Sequence, residues 1–262
     1  MQDEERARLA ELAVQDVTTP TAAVAAATVV LLRDHDAEGA PPEILMLRRD
    51  SRLSFAPDRW VFPGGKLDDA DFPGGVRTDD PIALAAAEAR AAVREAEEEA
   101  GLVIDEASMI RWSHWTPPPQ EKRRFSTAFF VAAAPEGDVV IDDGEIRAHQ
   151  WVNAVDALAL RDSGEIELLP PTFLTLLQLS EFASVAELLE AAPHHPVEHY
   201  VTRIIRDGDD VVALFFGDAH YGLSRDEVEA NTLTEDSPRH RMSIDNGPWR
   251  YHRTVGHHPF ER

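Results

Sequence analysis

The stretch Arg94-Glu95-Ala96-Glu97-Glu98-Glu99-Ala100-Gly101-Leu102 constrains this chain more than any other. Wound as a helix, it places Glu95, Glu98 and Glu99 at i, i+3 and i+4, so three carboxylates share one face. Like charges so placed repel and weaken an isolated helix by roughly a few tenths of a kcal/mol per pair. A solvated helix would answer that run with lysines four residues on. Here only Arg94 lies close by, and Gly101 ends the helix. Upstream stands Phe62-Pro63-Gly64-Gly65-Lys66, whose glycines let backbone approach a ligand closely. Carboxylates facing a glycine loop suit a hard divalent cation, which takes oxygen ligands and keeps waters or substrate phosphates as the rest. The competing reading is an acidic surface helix.

The spacing Arg-Glu-x-x-Glu-Glu-x-Gly behind Phe-Pro-Gly-Gly resembles the box of the Nudix hydrolases. That pattern is a glycine, five residues, a glutamate, seven residues, then R-E-U-x-E-E-x-G-U with U bulky and aliphatic. Gly65, Arg94, Glu95, Glu98, Glu99, Gly101 and Leu102 fit it. Three positions depart. The gap from Gly65 to Arg94 is long, with Asp68 to Pro81 as the expected insertion. Ala86 stands where the first box glutamate belongs, with Glu88 near but out of register. Ala96 replaces the bulky aliphatic. An insertion here, with R-R-F-S-T-A-F-F-V from Arg123 to Val131 and Pro170-Pro171-Thr172-Phe173, resembles one branch, the peroxisomal coenzyme A diphosphatases. The likeness covers about residues 22 to 192.

The resemblance implies an α/β fold, a Nudix-type α/β/α sandwich with a mixed sheet, followed by C-terminal helices and a small β-rich extension. It implies hydrolysis of a nucleoside diphosphate linked to another moiety, coenzyme A or acyl-coenzyme A being favoured. ADP-ribose or NADH, or a non-catalytic nucleotide-binding domain, are the alternatives. By carry-over, Glu95, Glu99 and the Gly64 carbonyl hold Mg²⁺ (or Mn²⁺), Glu98 serves a second ion and Arg94 orients the carboxylates. Glu98 and Glu145 are the candidates for general base. Arg48, Arg49 and Arg52 beside the glycine loop, and Arg123 and Arg124 before the R-F-S-T strand, are expected to bind phosphate, since Arg meets phosphate bidentately. For the first three the alternative is a solvated turn.

Lysine plus arginine number 25 against 48 acidic residues, a net charge of −23. That surface speaks against nucleic acid or an anionic membrane as partner and requires local basic groups around a phosphorylated substrate. With no cysteine, thiolate chemistry and disulfides are excluded. The first twelve residues are charged, and Thr21 to Leu32 is too short to span a bilayer. Both favour a cytoplasmic protein.

Along the chain, residues 1–20 read as an N-terminal helix and linker, 21–192 as the Nudix domain with its insertion at about 68–81, and 193–262 as an extension. Ala22 to Arg33 and Glu43 to Arg49 read as strands. Pro81 fits a first helical turn with Asp79 or Asp80 as cap, and Ala83 to Ala100 continues that helix with a small apolar face. Ala107 to Thr116, Arg124 to Ala134 and the end of Asp142 to Val152 read as strands. Helices follow from Asn153, Pro170 and Ser184. Tyr200 to Arg206 and Val211 to Phe216 suit a hairpin, and Trp249 to Val255 a last strand. Asp68 to Asp80 is expected as a surface loop outside the core. The pairs His194-His195 and His257-His258 read as exposed filler more than as metal ligands. The tail is expected to cover a domain edge or to make a homodimer contact.

Overall fold

The structure, a computed structural model, describes residues 2–15, 17, 19–37, 39–53, 56–142, 144–244 and 247–256. His257 and His258 lie outside them. Two compact units are present: residues 24–114 with 125–197, and residues 1–23 with 115–124 and 198–262. The chain opens in the second, smaller unit with helix α1 (Gln2–Val14).

The larger unit is built on a mixed sheet. Strand β1 (Val24–Arg33) is buried along seven consecutive residues, as a valine-rich run in a sheet's centre should be. Around it lie β2 (Glu43–Arg49), β3 (Trp60–Val61), β4 (Gly64–Lys66), β5 (Ile110–Thr116), β6 (Phe125–Ala133) and β7 (Ile146–Asn153). The order runs β3-β2-β1-β6-β5, with β4 also on β1 and β7 also on β2. β1 pairs β6 in parallel from Val24 opposite Phe125 to Leu32 opposite Ala133. Its pairings with β2 and β4 are antiparallel. Among the described residues no helix is long and apolar enough to cross a membrane.

Helix α2 (Pro81–Ala100) begins where Asp80 accepts the Ala83 N–H and ends at Gly101, whose φ of 69° is the left-handed turn glycine tolerates. Its buried face is Ala87, Ala91, Ala92, Ala96 and Ala100, with Glu88 and Glu99. Small side chains bring the helix close to Ala27, Val29, Leu31, Leu45, Leu47, Ala128, Phe130 and Ala132. Ala96 is wholly buried here, so the methyl in place of a bulky aliphatic suits the close approach. Helices α3 (Ala154–Asp162), α4 (Pro170–Leu179) and α5 (Val185–Ala191) follow, α3 and α5 capped by Asn153 and Ser184. From β5, Trp112 donates its indole N–H to Gln178 of α4 at 3.0 Å. It also stacks on His195 at 4.0 Å, so His195 is packed on a ring and is not exposed filler.

The segment expected as a loop outside the core forms two short 3₁₀ turns, Asp69–Asp71 and Pro73–Gly75. It adds no strand to the sheet, but it is not wholly peripheral: Phe72 is buried in the core beneath α2 and Asp71 is 4% exposed. From Val76 to Asp80 the chain is exposed.

In the smaller unit, β8 (Glu198–Val201), β9 (Arg203–Asp207) and β10 (Asp210–Leu214) are followed by α6 (Arg225–Ala230), β11 (His240–Ser243) and β12 (Arg250–Arg253). β9 and β10 make the expected hairpin, Asp207 facing Asp210 across Gly208 at φ 65°. An antiparallel sheet of order β12-β11-β10-β9 results. Ile205, Val212 and Leu214 of the sheet pack with Val228 of α6. Its buried charges are paired: Glu198 with Arg253, and Asp218 with Arg241.

Candidate active site

Arg94, Glu95 and Glu99 of α2 meet the glycine turn between β3 and β4. Thr28 of β1 holds that turn, donating its hydroxyl to the Pro63 carbonyl at 2.5 Å, while the Val29 N–H donates to the same carbonyl at 3.0 Å. A Cβ on Gly64 would stand 2.5 Å from the Ala27 carbonyl, and one on Gly65 would stand 2.5 Å from Glu95 Cδ. Gly64 is therefore demanded by its close approach to backbone, while Gly65 lies against the end of a box carboxylate.

Arg94 is the hub. Its Nη1 donates to Glu95 at 2.8 Å and to Glu98 at 3.0 Å. Its Nη2 donates to the Lys66 carbonyl and to Asp71 Oδ2, both at 3.0 Å, and its Nε to Asp71 Oδ1 at 3.1 Å. Burial works against the Arg94 charge, but Asp71 and Glu95 outweigh it and raise its pKa above the ordinary value. Arg90, one turn earlier, donates to the Asp71 carbonyl at 3.1 Å.

Glu99 is deeper. Its side chain is 7% exposed and accepts the Gly64 N–H at 2.9 Å. Burial pushes its carboxyl up to about 8, against the opposing Gly64 N–H and Arg49. Burial likewise raises Glu95, which Arg94 resists. Arg49 completes the group, 3.8 Å from Glu99 and 3.2 Å from Glu145. The period of β2 aims it: Leu45 and Leu47 lie in the core that α2 covers, and Arg49 follows them on that face. The register against β7 slips between Arg48 and Arg49, Arg147 being the extra residue on β7. Glu145 is presented by a loop that Asp142 ties together, accepting the N–H groups of Gly144, Glu145 and Ile146.

The structure thus brings Gly64, Arg94, Glu95, Glu98, Glu99, Glu145 and Arg49 to one place. The other arginines expected on phosphate are engaged elsewhere. Arg48 pairs with Asp58 at 3.0 Å, and the guanidinium of Arg52 donates to Asp50 at 2.8 Å. Arg124 belongs to the smaller unit and donates to the carbonyls of Pro117 and Thr21, while its neighbour Arg123 is exposed there.

Asp71 is the residue that sequence reading missed. Five residues separate it from Gly65, which is the spacing of the box's first acid, and its carboxylate reaches Arg94. Ala86 can make no such bond. Counting forward from the glycine, rather than backward from Arg94, finds it and places the extra chain after Asp71.

The donor set is wholly carboxylate and carbonyl oxygen, which suits Mg²⁺ or Mn²⁺ and not a soft metal. Among the described residues no three acidic or imidazole groups converge on one point; Arg94 bonds Glu95 and Glu98, and Arg49 lies 3.8 Å from Glu99. Glu95, Glu98 and Glu99 would hold a cation after turning from these partners.

A helix of carboxylates laid across a glycine turn at the edge of a mixed sheet defines the class: a Nudix fold with its box assembled. The chain belongs to the NUDIX family, whose domain profile matches residues 23–171. Human "Acyl-coenzyme A diphosphatase NUDT19" is 31% identical over 157 residues, covering 58% of this chain and 41% of that protein. The protein of the same name from Gallus gallus is 24% identical over 311 residues, covering 78% of this chain and 82% of its own. The chain thus spans well under half of the human relative's length. In fold it is similar to a NUDIX hydrolase from Alicyclobacillus acidocaldarius, at 24% identity and a TM-score of 0.56 over 65% of this chain and 96% of that one.

Proposed function

We propose that the chain is a divalent-metal-dependent diphosphatase acting on coenzyme A or an acyl-coenzyme A. The observation that carries the reaction is the Arg94 hub, which fixes Glu95 and Glu98 beside Gly64-bound Glu99. The substrate rests on the relatives named as acyl-coenzyme A diphosphatases.

A diphosphate resists nucleophiles because its own charge repels them. Mg²⁺ or Mn²⁺ would neutralise that charge and make a water more acidic. Glu95 and Glu99, with the Gly64 carbonyl, would hold the principal ion, and Glu98 a second. Arg94 positions the carboxylates through Lys66 and Asp71. Glu98 and Glu145, 59% and 57% exposed, are open enough to take a proton from the attacking water. Arg49, 3.8 Å from Glu99 and 3.2 Å from Glu145, would receive a phosphoryl oxygen.

The test is incubation of the pure chain with Mg²⁺ or Mn²⁺ and coenzyme A, acetyl-coenzyme A, ADP-ribose and NADH, with the products separated. Adenosine 3′,5′-bisphosphate and a phosphopantetheine are expected. Cleavage of ADP-ribose or NADH alone would discard the substrate and keep the reaction.

A further inference from the structure

A second buried carboxylate stands on α2 and belongs to no part of the site just described. Glu88 is 2% exposed. Arg111 of β5 donates to its Oε2, and the Nδ1 of His114, on the same strand, lies 4.0 Å from its Oε1. His114 Nε2 in turn stands 2.7 Å from Ser126 Oγ on β6. The Arg111 guanidinium also lies over the Phe130 ring, 5.5 Å from its centroid. A charge on α2 is therefore fixed to two strands of the sheet beneath it.

The rest of the buried face of α2 explains why that matters. It consists of five alanines and one further glutamate, Glu99. Ridges and grooves made by large side chains set how a helix seats on its neighbour. Methyl groups make shallow ridges, so an alanine face tolerates sliding along the helix axis and rotation about it. The site tolerates neither. Glu95 already fills the space a Cβ on Gly65 would need, and Glu99 must meet the Gly64 N–H at 2.9 Å. Glu88 and Glu99 are eleven residues apart, about 16 Å at 1.5 Å per residue. A pin at one end and the site at the other define the seating of the whole helix. Desolvation makes a buried ion pair a poor source of stability; its best-attested use is to select one register.

We propose that the Glu88–Arg111 pair, backed by His114 and Ser126, is a register lock that sets the position of the box helix on the sheet. Glu88 and Arg111 are thus positioning residues, acting on the site only through α2. The metal part of this inference rests on the function proposed above; the seating of Glu99 on Gly64 does not.

The decisive variant is Glu88→Leu with Arg111→Met in the full chain, an apolar pair of similar bulk. Three readouts are taken: thermal stability, Mn²⁺ affinity measured with the metal alone by electron paramagnetic resonance, and hydrogen exchange of the Gly64 amide in metal-free protein. The lock predicts stability equal to or above that of the parent, Mn²⁺ affinity lower by roughly tenfold or more, in the range seen when groups behind metal ligands are removed, and faster Gly64 exchange. Glu88→Gln, which keeps the shape and weakens the pair, should show the same direction in Mn²⁺ affinity and Gly64 exchange if the double variant does not fold. Unchanged Gly64 exchange and unchanged Mn²⁺ affinity in a folded variant would overturn the lock. A parent protein that binds no Mn²⁺ would overturn the metal reading alone, and Gly64 exchange would still decide the lock.

Discussion

Arg94 grips Asp71 with two parallel hydrogen bonds, Nε to Oδ1 at 3.1 Å and Nη2 to Oδ2 at 3.0 Å, across twenty-three residues of chain. Asp71 is 4% exposed, and through this contact the turns before α2 support the arginine that orients Glu95 and Glu98. Asp71→Ala should therefore cost about 2 kcal/mol of stability, since it removes two charge-assisted hydrogen bonds from part-buried Arg94. Turnover should fall as well. Adding Ala86→Glu to that variant should restore neither, since Arg94 bonds Asp71 and not the Ala86 position. Denaturant midpoints and kcat on the single and double variants check this.

The two glycines of the turn should fail differently. An added methyl at Gly64 meets the Ala27 carbonyl, which is backbone and cannot yield, so Gly64→Ala should lower Tm clearly. At Gly65 the methyl meets the end of the Glu95 side chain, which can rotate away. Gly65→Ala should keep most of the stability and lose most of the activity. Melting curves beside kcat/KM separate the two cases.

Glu99→Gln keeps the shape of the side chain and removes the carboxylate that a cation would bind. It should reduce turnover by orders of magnitude while leaving thermal stability nearly intact. Equal activity in the variant would remove Glu99 from the mechanism.

The Glu99 carboxyl, pushed up to about 8 by burial, holds a proton at neutral pH. A cation must displace that proton, so Mn²⁺ affinity should rise as pH rises from 6 toward 8, with proton release on binding. Calorimetry in two buffers of different ionisation heat measures the release. Glu99→Gln should abolish it.

The smaller unit should weaken in acid. Burial lowers the His240 pKa, while Arg253 holds Glu198, and Arg241 holds Asp218, below the ordinary carboxylate range despite burial. For each group the folded pKa lies below the unfolded one. Its contribution is present above the unfolded value and is lost as pH falls through the folded one. The loss should begin near pH 6.5 with His240 and deepen below about 4.5 with the carboxylates. Amide exchange of His240 to Ser243, corrected for intrinsic rates, should show protection falling in those two stages. In His240→Gln the first stage should vanish.

What the chain wrote locally was legible. The α2 boundaries follow from Asp80, Pro81 and Gly101, and the shared face of Glu95, Glu98 and Glu99 from helical period alone. β2 ran from Glu43 to Arg49 as read, and Asn153 and Ser184 opened their helices. Capping and periodicity depend on neighbours three or four residues away, so composition and spacing carry them. Partner choice does not. Of three arginines that read alike, only Arg49 reaches the carboxylates, because the period of β2 turns it to the face that α2 covers. Arg48 and Arg52 found Asp58 and Asp50 instead. Asp71 looked like one more loop acid until the fold brought it under Arg94, and Glu88 like a misplaced box residue until β5 supplied Arg111. A charge's partner depends on which surfaces the sheet brings within a few ångströms and how far they are desolvated. Both are properties of the packed structure, and the linear sequence left the partners of Arg48, Arg49, Arg52, Asp71 and Glu88 open.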